Sequence, residues 1–290
     1  IEVGQNIRQE KQENGDLYLY AENSGEVYYD QKRLEVHTVH TVDGNVDMHT
    51  GNIKFPGEVQ VKGNVHEGFY IMAGADVKIA GQLEACLISS GQSATIMQGI
   101  VGGNKAAVRA KQDIETTFAE QATLLAVGDI KLKSSCLRCS VKCNGTLRLA
   151  QDGGDLVGGS INTRRGIEAH DIGNEMRART TISFGQDYLV ADQIQQHEKQ
   201  LKKLKDYIAK LDNAMSRYEK AGERKKLDKV RQEKLKYMKT IEKRSMHLFS
   251  LRERYEEHFD SSVTVHGTIY PGVVMESHGR FLEISAPKEK

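Results

Sequence analysis

The chain has no tryptophan, only three prolines and only four cysteines in 290 residues. So few prolines, beside 27 glycines, exclude collagen and a proline-rich disordered tail. No stretch approaches the roughly 18 apolar residues of a membrane span. No basic-then-apolar leader opens the chain, so no signal peptide is read. It starts at Ile1 rather than Met, as a fragment or a processed form does. No charge sign dominates, because the formal net charge of +1 excludes a globally basic or acidic protein. What is present is 38% hydrophobic and 28% charged residues, which suits a chain that buries one large core or two ordinary ones.

Net neutrality hides a local asymmetry. Residues 1–190 carry 19 Lys and Arg against 24 Asp and Glu, whereas 191–260 carry 19 against 13. A basic stretch suggests nucleic acid or a membrane surface. Its acidic residues are interspersed, however, as on a solvated helical face, so neither partner is expected. The cysteines are Cys86, Cys136, Cys139 and Cys143. The last three form C-x2-C-x3-C without the second ligand pair that a zinc site needs. They read as small buried side chains in a reducing compartment, with no metal and no cofactor.

An internal repeat decides the fold class. In Ile71-Met-Ala-Gly-Ala-Asp-Val77-Lys-Ile79, apolar residues stand at positions 0, 6 and 8. The frame recurs from Ile53, Ile88, Val108, Leu124, Val141, Ile161 and Ile182, the last copy ending at Tyr188-x-Val190. The starts are 18, 17, 20, 16, 17, 20 and 21 residues apart. A period of about 18 with alternating apolar pairs predicts a parallel β-solenoid whose inward residues stack into ladders. Gly74-x-Asp76 and Gly128-Asp129 suit its corners, where Gly permits positive φ and Asp closes an Asx-turn. The two-residue pairs favour a right-handed helix over a left-handed hexapeptide helix. Nine coils at about 4.8 Å each make a rod of roughly 40 Å.

From about Asp192 the period changes to that of a helix. A heptad seam runs through Ile194, Leu201, Leu204, Ile208, Leu211, Met215 and Tyr218 and breaks at Ala221-Gly222-Glu223. A second seam runs through Leu227, Val230, Tyr237, Ile241, Leu248, Leu251 and Tyr255, with Lys234 and Arg244 at core-register positions. Two such helices predict an antiparallel coiled-coil hairpin. Val263-x-Val265 and Ile269 then repeat the pattern of Val59-x-Val61 and Val65, so the hairpin is an insertion. The expected organisation is a β-rich lead-in over 1–45, the β-helix over 46–191, the hairpin over 192–260 and the resumed β-helix with its tail over 261–290.

Val46-Asp47-Met-His-Thr50-Gly51-Asn52-Ile53-Lys-Phe55 resembles a segment of the bacterial flagellar assembly protein A family. Gly57-Glu-Val59, Gln98-Gly-Ile100-Val-Gly102-Gly103, Leu156-Val-Gly158-Gly159 and Ile172-Gly173-Asn174 follow in the family's order. Ala75, Gln92 and Gln112 depart from it, standing where corner glycines are expected. The resemblance covers about residues 20–285. It implies a right-handed β-helix similar to the C-terminal domain of the cell-division inhibitor MinC and to bactofilins. It also implies a non-enzymatic protein of the bacterial cytoplasm, linked to flagellar assembly and to the cell pole. Full-length members have an additional N-terminal region, so a C-terminal fragment is expected.

The alternative is a β-helix enzyme, either a polysaccharide lyase or a hexapeptide-type acyltransferase. Lyases cluster carboxylates around calcium, but here the corner acids Glu58, Asp76, Asp113, Asp129 and Asp187 come one per coil at most. Asp76 and Asp129, three coils or about 14 Å apart, cannot share one ion. Acyltransferases need a histidine at a subunit groove, for which His37, His40, His49 and His66 are candidates. No Walker A loop follows Gly102-Gly103. The expected function is therefore a scaffold acting through self-association, by a solenoid face or one of two open ends, and through docking of flagellar or polar protein partners. The basic tip Gly222, Arg224, Lys225 and Lys226 is the candidate docking site. Nucleic acid is not an expected partner, and no membrane insertion is expected.

Overall fold

In an extended segment alternate side chains face opposite sides, so residues two apart share a side. The pairs Val77/Ile79 and Ile130/Leu132 therefore turn inward together, and all four are buried. The computed structural model describes residues 2–13 and 15–289. It divides into two compact units, 1–185 with 259–290, and 186–258.

The first unit is a parallel β-solenoid. One face is a nine-stranded sheet running from Val39–Val42 to Ser262–Val265. A fourteen-stranded sheet makes the rest, with Ile53–Phe55 at one end and Arg280–Glu283 at the other. Ile53, Ile71, Ile88, Val108, Leu124, Val141, Ile161 and Ile182 lie in register from coil to coil. Val59, Val77, Ala94, Ile114, Ile130, Leu147 and Ile167 form a second column. A third runs from Val46 and Val65 through Leu83, Ile100, Ala119, Cys136, Leu156 and Ile172 to Ile269. Each fully buried Ile or Leu stabilises the fold by about 1.5–3 kcal/mol relative to exposure.

The last expected copy of the repeat is corrected. Ile182 takes its place, but Tyr188 and Val190 do not continue the second column. That column passes from Ile167 to Val263 instead. The reason is a helix start: the Asp187 carboxylate accepts the Leu189 and Val190 N–H groups at 2.9 and 3.2 Å. An N-cap of this kind satisfies donors that a helix leaves free and commits the chain to it. The helical segment therefore stands in place of a corner link that is two or three residues long in other coils, between Thr180–Phe184 and Ser262–Val265.

The corners also differ in mechanism from the expected one. Gly74 and Gly128 do not have positive φ. They are small because the coils touch there: a Cβ at Gly74 would lie 2.0 Å from the Pro56 carbonyl oxygen, and one at Gly128 would lie 2.1 Å from Asp113 Oδ1. Ala75, Gln92 and Gln112 keep the corner backbone bonds, with Gln112 N–H donating to Gln92 O at 3.0 Å. Unlike Asp187, the corner acids Asp76, Asp113 and Asp129 bond across coils rather than within a local Asx-turn. Asp76 accepts the N–H of Ser93 at 2.9 Å, Asp113 that of Asp129 at 2.7 Å, and Asp129 that of Thr146 at 2.8 Å. Each carboxylate thus joins its coil to the next.

Before the solenoid, Glu2–Val3, Arg33–His37 and Glu26–Tyr29 form a small sheet, and Ile7–Lys11 pairs with Leu17–Ala21 as a hairpin. At the far end the expected open edge is covered. Arg280–Glu283 folds back antiparallel on Val273–Ser277, and Lys288–Glu289 on Thr268–Ile269. Antiparallel return strands interrupt the parallel stacking that another coil would continue.

The second unit is a pair of packed helices, α1 (Tyr188–Lys220) and α2 (Arg224–Tyr255). Neither contains Gly or Pro. The turn between them is a Schellman motif, in which Gly222 has φ +72° and Glu223 N–H donates to Tyr218 O at 3.0 Å. The helices have 33 and 32 residues, beginning four residues before the expected start. No helix among the described residues is long and apolar enough to cross a membrane.

Candidate interaction surfaces

Heptad spacing places the seam on one side of each helix. Leu201, Leu211, Leu248 and Leu251 are buried, while Leu204, Ile208, Met215, Leu227, Val230 and Ile241 are half-buried. Lys234 and Arg244 are answered across the hairpin. Lys234 Nζ donates to Asp212 at 2.5 Å, and Arg244 donates to Gln200. Arg252 donates to Glu198 at 2.7 Å, and the Tyr207 hydroxyl donates to Glu233 at 2.9 Å. Exposed pairs of this kind stabilise by less than about 1 kcal/mol each. Their larger effect is to specify one register of the antiparallel pair. The sequence reading missed His197, which occupies the seam position between Ile194 and Leu201 and meets His247 edge-on at 4.8 Å. Burial holds its imidazole below the ordinary histidine range, with His247 and Arg244 adding to the effect.

At the tip, Gly222, Arg224, Lys225 and Lys226 are all exposed. Lys226 is engaged locally, 2.5 Å from Glu223 and 5.6 Å from the centre of the Tyr218 ring. Two cations, Arg224 and Lys225, remain directed to solvent without an ion pair among the described residues.

A second apolar surface lies outside the seam. On α2, Leu235, Met238, Met246 and Phe249 are 59%, 48%, 69% and 64% exposed. The sequence reading assigned them no role, although their spacing of 3, 8 and 3 residues was visible.

On the solenoid, the candidate histidines are dispersed. His37 meets Glu35 at 2.8 Å, and His66 meets Glu84 of the next coil at 3.2 Å. His49 is exposed. His40 stands at the N-terminal end of the second column, opposite Val59, 5.5 Å from the Phe55 ring and 3.6 Å from Glu26. Gly25, Glu26, Thr50, Asn52 and Lys54 line an open cleft of about 420 Å³ beside it.

The corner acids are employed in the fold. Burial pushes the Asp129 carboxyl up, but the Thr146 N–H and the Arg148 guanidinium outweigh it and leave the group below its ordinary range. Asp155 is the reverse case: burial, then the Asp171 carboxylate stacked on it, raise it above that range. The cysteines are core residues. Cys86 and Cys143 are pushed up to about 12, chiefly by burial. Cys136 is also raised, by its hydrogen bond with Cys139 and then by burial. These three thiols stay protonated and are poor nucleophiles and ligands, whereas Cys139 is lowered by its hydrogen bond with Cys136 against the effect of burial. Among the described residues, no three metal-ligating side chains come together.

No curated protein and no solved structure matches the chain. The family model described as "Flagellar Assembly Protein A beta solenoid domain" matches residues 38–290, the whole solenoid with its helical insertion. The chain therefore belongs to the flagellar assembly protein A β-solenoid family.

Proposed function

We propose that this chain is a non-enzymatic scaffold of the bacterial cytoplasm that serves flagellar assembly through self-association and the docking of protein partners at the cell pole. The family match over residues 38–290 carries this reading. The physical form agrees with it. A solenoid with its ladders buried is a rigid support, and long helices carry recognition surfaces away from their own attachment points. The corner carboxylates hold coils together and are not gathered around a substrate. The tip cations Arg224 and Lys225 supply a docking point for an acidic partner.

The test is genetic. Removing the gene from its own bacterium abolishes flagella or swimming, and the intact gene restores them. A chain with 188–255 replaced by a short Gly-Ser linker fails to restore them. Normal flagella in the deletion strain overturn the flagellar reading. Full rescue by the linker chain removes the hairpin from it.

A further inference from the structure

We infer that the basic, apolar flank of α2 docks the acidic, tyrosine-rich N-terminal strands of a second copy of this chain. This deepens the self-association part of the proposed function and rests on it.

The first observation is the stripe itself. At 100° per residue, Leu235, Met238, Met246 and Phe249 fall within an arc of roughly 80° on α2. The arc lies roughly 120° round from the seam. All four side chains are about half exposed or more. A two-helix seam does not use this flank. A solvated face carries scattered apolar residues, whereas four in one arc mark a contact surface.

The second observation is charge. Helix α2 holds twelve Lys and Arg against four Asp and Glu, whereas α1 holds seven against five. Lys236, Lys239 and Lys243 lie between the stripe and the far flank of the seam, where they share a cleft with His197 and Arg244, and Glu242 is the one acid between Leu235 and Phe249. A copy of α2 placed against α2 would bring two strongly cationic surfaces together, which costs several kcal/mol. The partner surface is therefore acidic as well as apolar.

The third observation is that the chain carries such a surface. Residues 1–45 hold nine Asp and Glu against four Lys and Arg. On the strands there, Leu17, Tyr18, Tyr20, Val27, Tyr28 and Tyr29 are 40–66% exposed. Tyr18 and Tyr20 stack at 6.3 Å, and the acids Glu10, Glu13 and Asp16 at that hairpin are exposed. Tyrosine is a favoured anchor in protein interfaces because it adds large amphipathic area at low entropic cost. Two further exposed apolar surfaces of the first unit lack an acidic surplus: Phe281 and Leu282 are flanked by one base and one acid, Arg280 and Glu283, and Tyr70, Met72 and Leu87 lie on paired strands beside Lys54. Electrostatic complementarity thus selects the N-terminal strands. Joining two different patches is a heterologous contact, which propagates into a ring or an open filament.

Sedimentation velocity on the intact chain, over a wide concentration range and at low and high salt, tests this. Assembly beyond a monomer that weakens as salt rises is expected. Lys236→Glu, Lys239→Glu and Lys243→Glu together raise the assembly midpoint at least about tenfold. Glu10→Lys, Glu13→Lys and Asp16→Lys together do the same. Mixing the two folded variants restores assembly, because each supplies the charge that the other lacks. A helical circular dichroism signal equal to the parent's confirms that the α2 variant is folded. If it is not, Phe249→Ser with Met246→Ser replaces it and is expected to weaken assembly equally. A strictly monomeric intact chain, assembly indifferent to both charge sets, or a mixture that stays apart overturns the inference. These results are independent of the swimming phenotype, so failure here leaves the flagellar reading standing.

Discussion

Ile71, Leu83, Ile114 and Ile130 in the solenoid have no exposed surface, whereas the seam positions Leu204, Ile208 and Met215 of the hairpin remain half-buried. The difference follows from geometry. A coil is roofed and floored by its neighbours, and its backbone hydrogen bonds run between coils, so a side chain pointing inward is enclosed on every side. A two-helix pair covers each seam residue from one side only. The solenoid is consequently held by burial, and the hairpin by a sparse seam with polar pairs that set its register. The hairpin is left with apolar surface to offer to a partner, while the solenoid interior has none.

The comparison is sharpened first by Ile130→Ala. It removes most of a side chain in the middle of a column, and a loss of about 2–5 kcal/mol in global stability is expected from chemical denaturation. A loss well under 1 kcal/mol would mean that the columns are looser than their burial indicates. Leu251→Ala probes the hairpin's best-buried seam residue, which is 1% exposed. About 2 kcal/mol is expected here, appearing as early loss of helical signal on heating while the β signal persists. Simultaneous loss of both signals would show one cooperative unit instead of two.

Asp129→Ala tests the bonds between coils. It leaves the Thr146 N–H and Arg148 without their acceptor and is expected to cost about 1–2 kcal/mol near neutral pH. The folded carboxyl lies below its ordinary value, so its stabilising contribution is present above the unfolded pKa. That contribution is lost as pH falls through the lowered folded value. Urea midpoints of parent and variant should therefore converge on acidification. A gap that persists in acid would assign the effect to packing alone. The smallest effect is Asp155→Asn. Asp155 is raised, so the solenoid favours its protonated form and loses stability as pH rises through the folded pKa. The amide removes that loss, and a gain below about 1 kcal/mol is expected near neutral pH, discounted for solvent screening. The gain should disappear in acid. Destabilisation at neutral pH would show that Asp155 is held by an interaction stronger than its repulsion from Asp171.

Much of the molecule was legible because its fold is periodic. Eight column members from Ile53 to Ile182 could be aligned by spacing alone, and Val263 with Ile269 marked the resumption. Tyr188-x-Val190 misled because its apolar pair has the same spacing as a strand, and an N-cap is satisfied by a local helix that spacing does not reveal. Gly74 and Gly128 were seen as corner residues, but their reason is contact between coils, which no local rule expresses. The same holds for Asp76 and Asp129, whose partners are 17 residues away. The α2 flank is masked in the sequence by the stronger seam period beside it.

The sequence by itself determined the solenoid, the helical insertion and the hairpin turn, because period, heptad and Gly222 are local properties of the chain. Only the tertiary structure decided which strand succeeds Gly166–Ala169 in its sheet, how Lys234 and Arg244 are neutralised, and that return strands cover the C-terminal edge. These depend on which distant groups meet. Contact between residues far apart in the chain is settled by packing the whole fold, not by the spacing of any one segment.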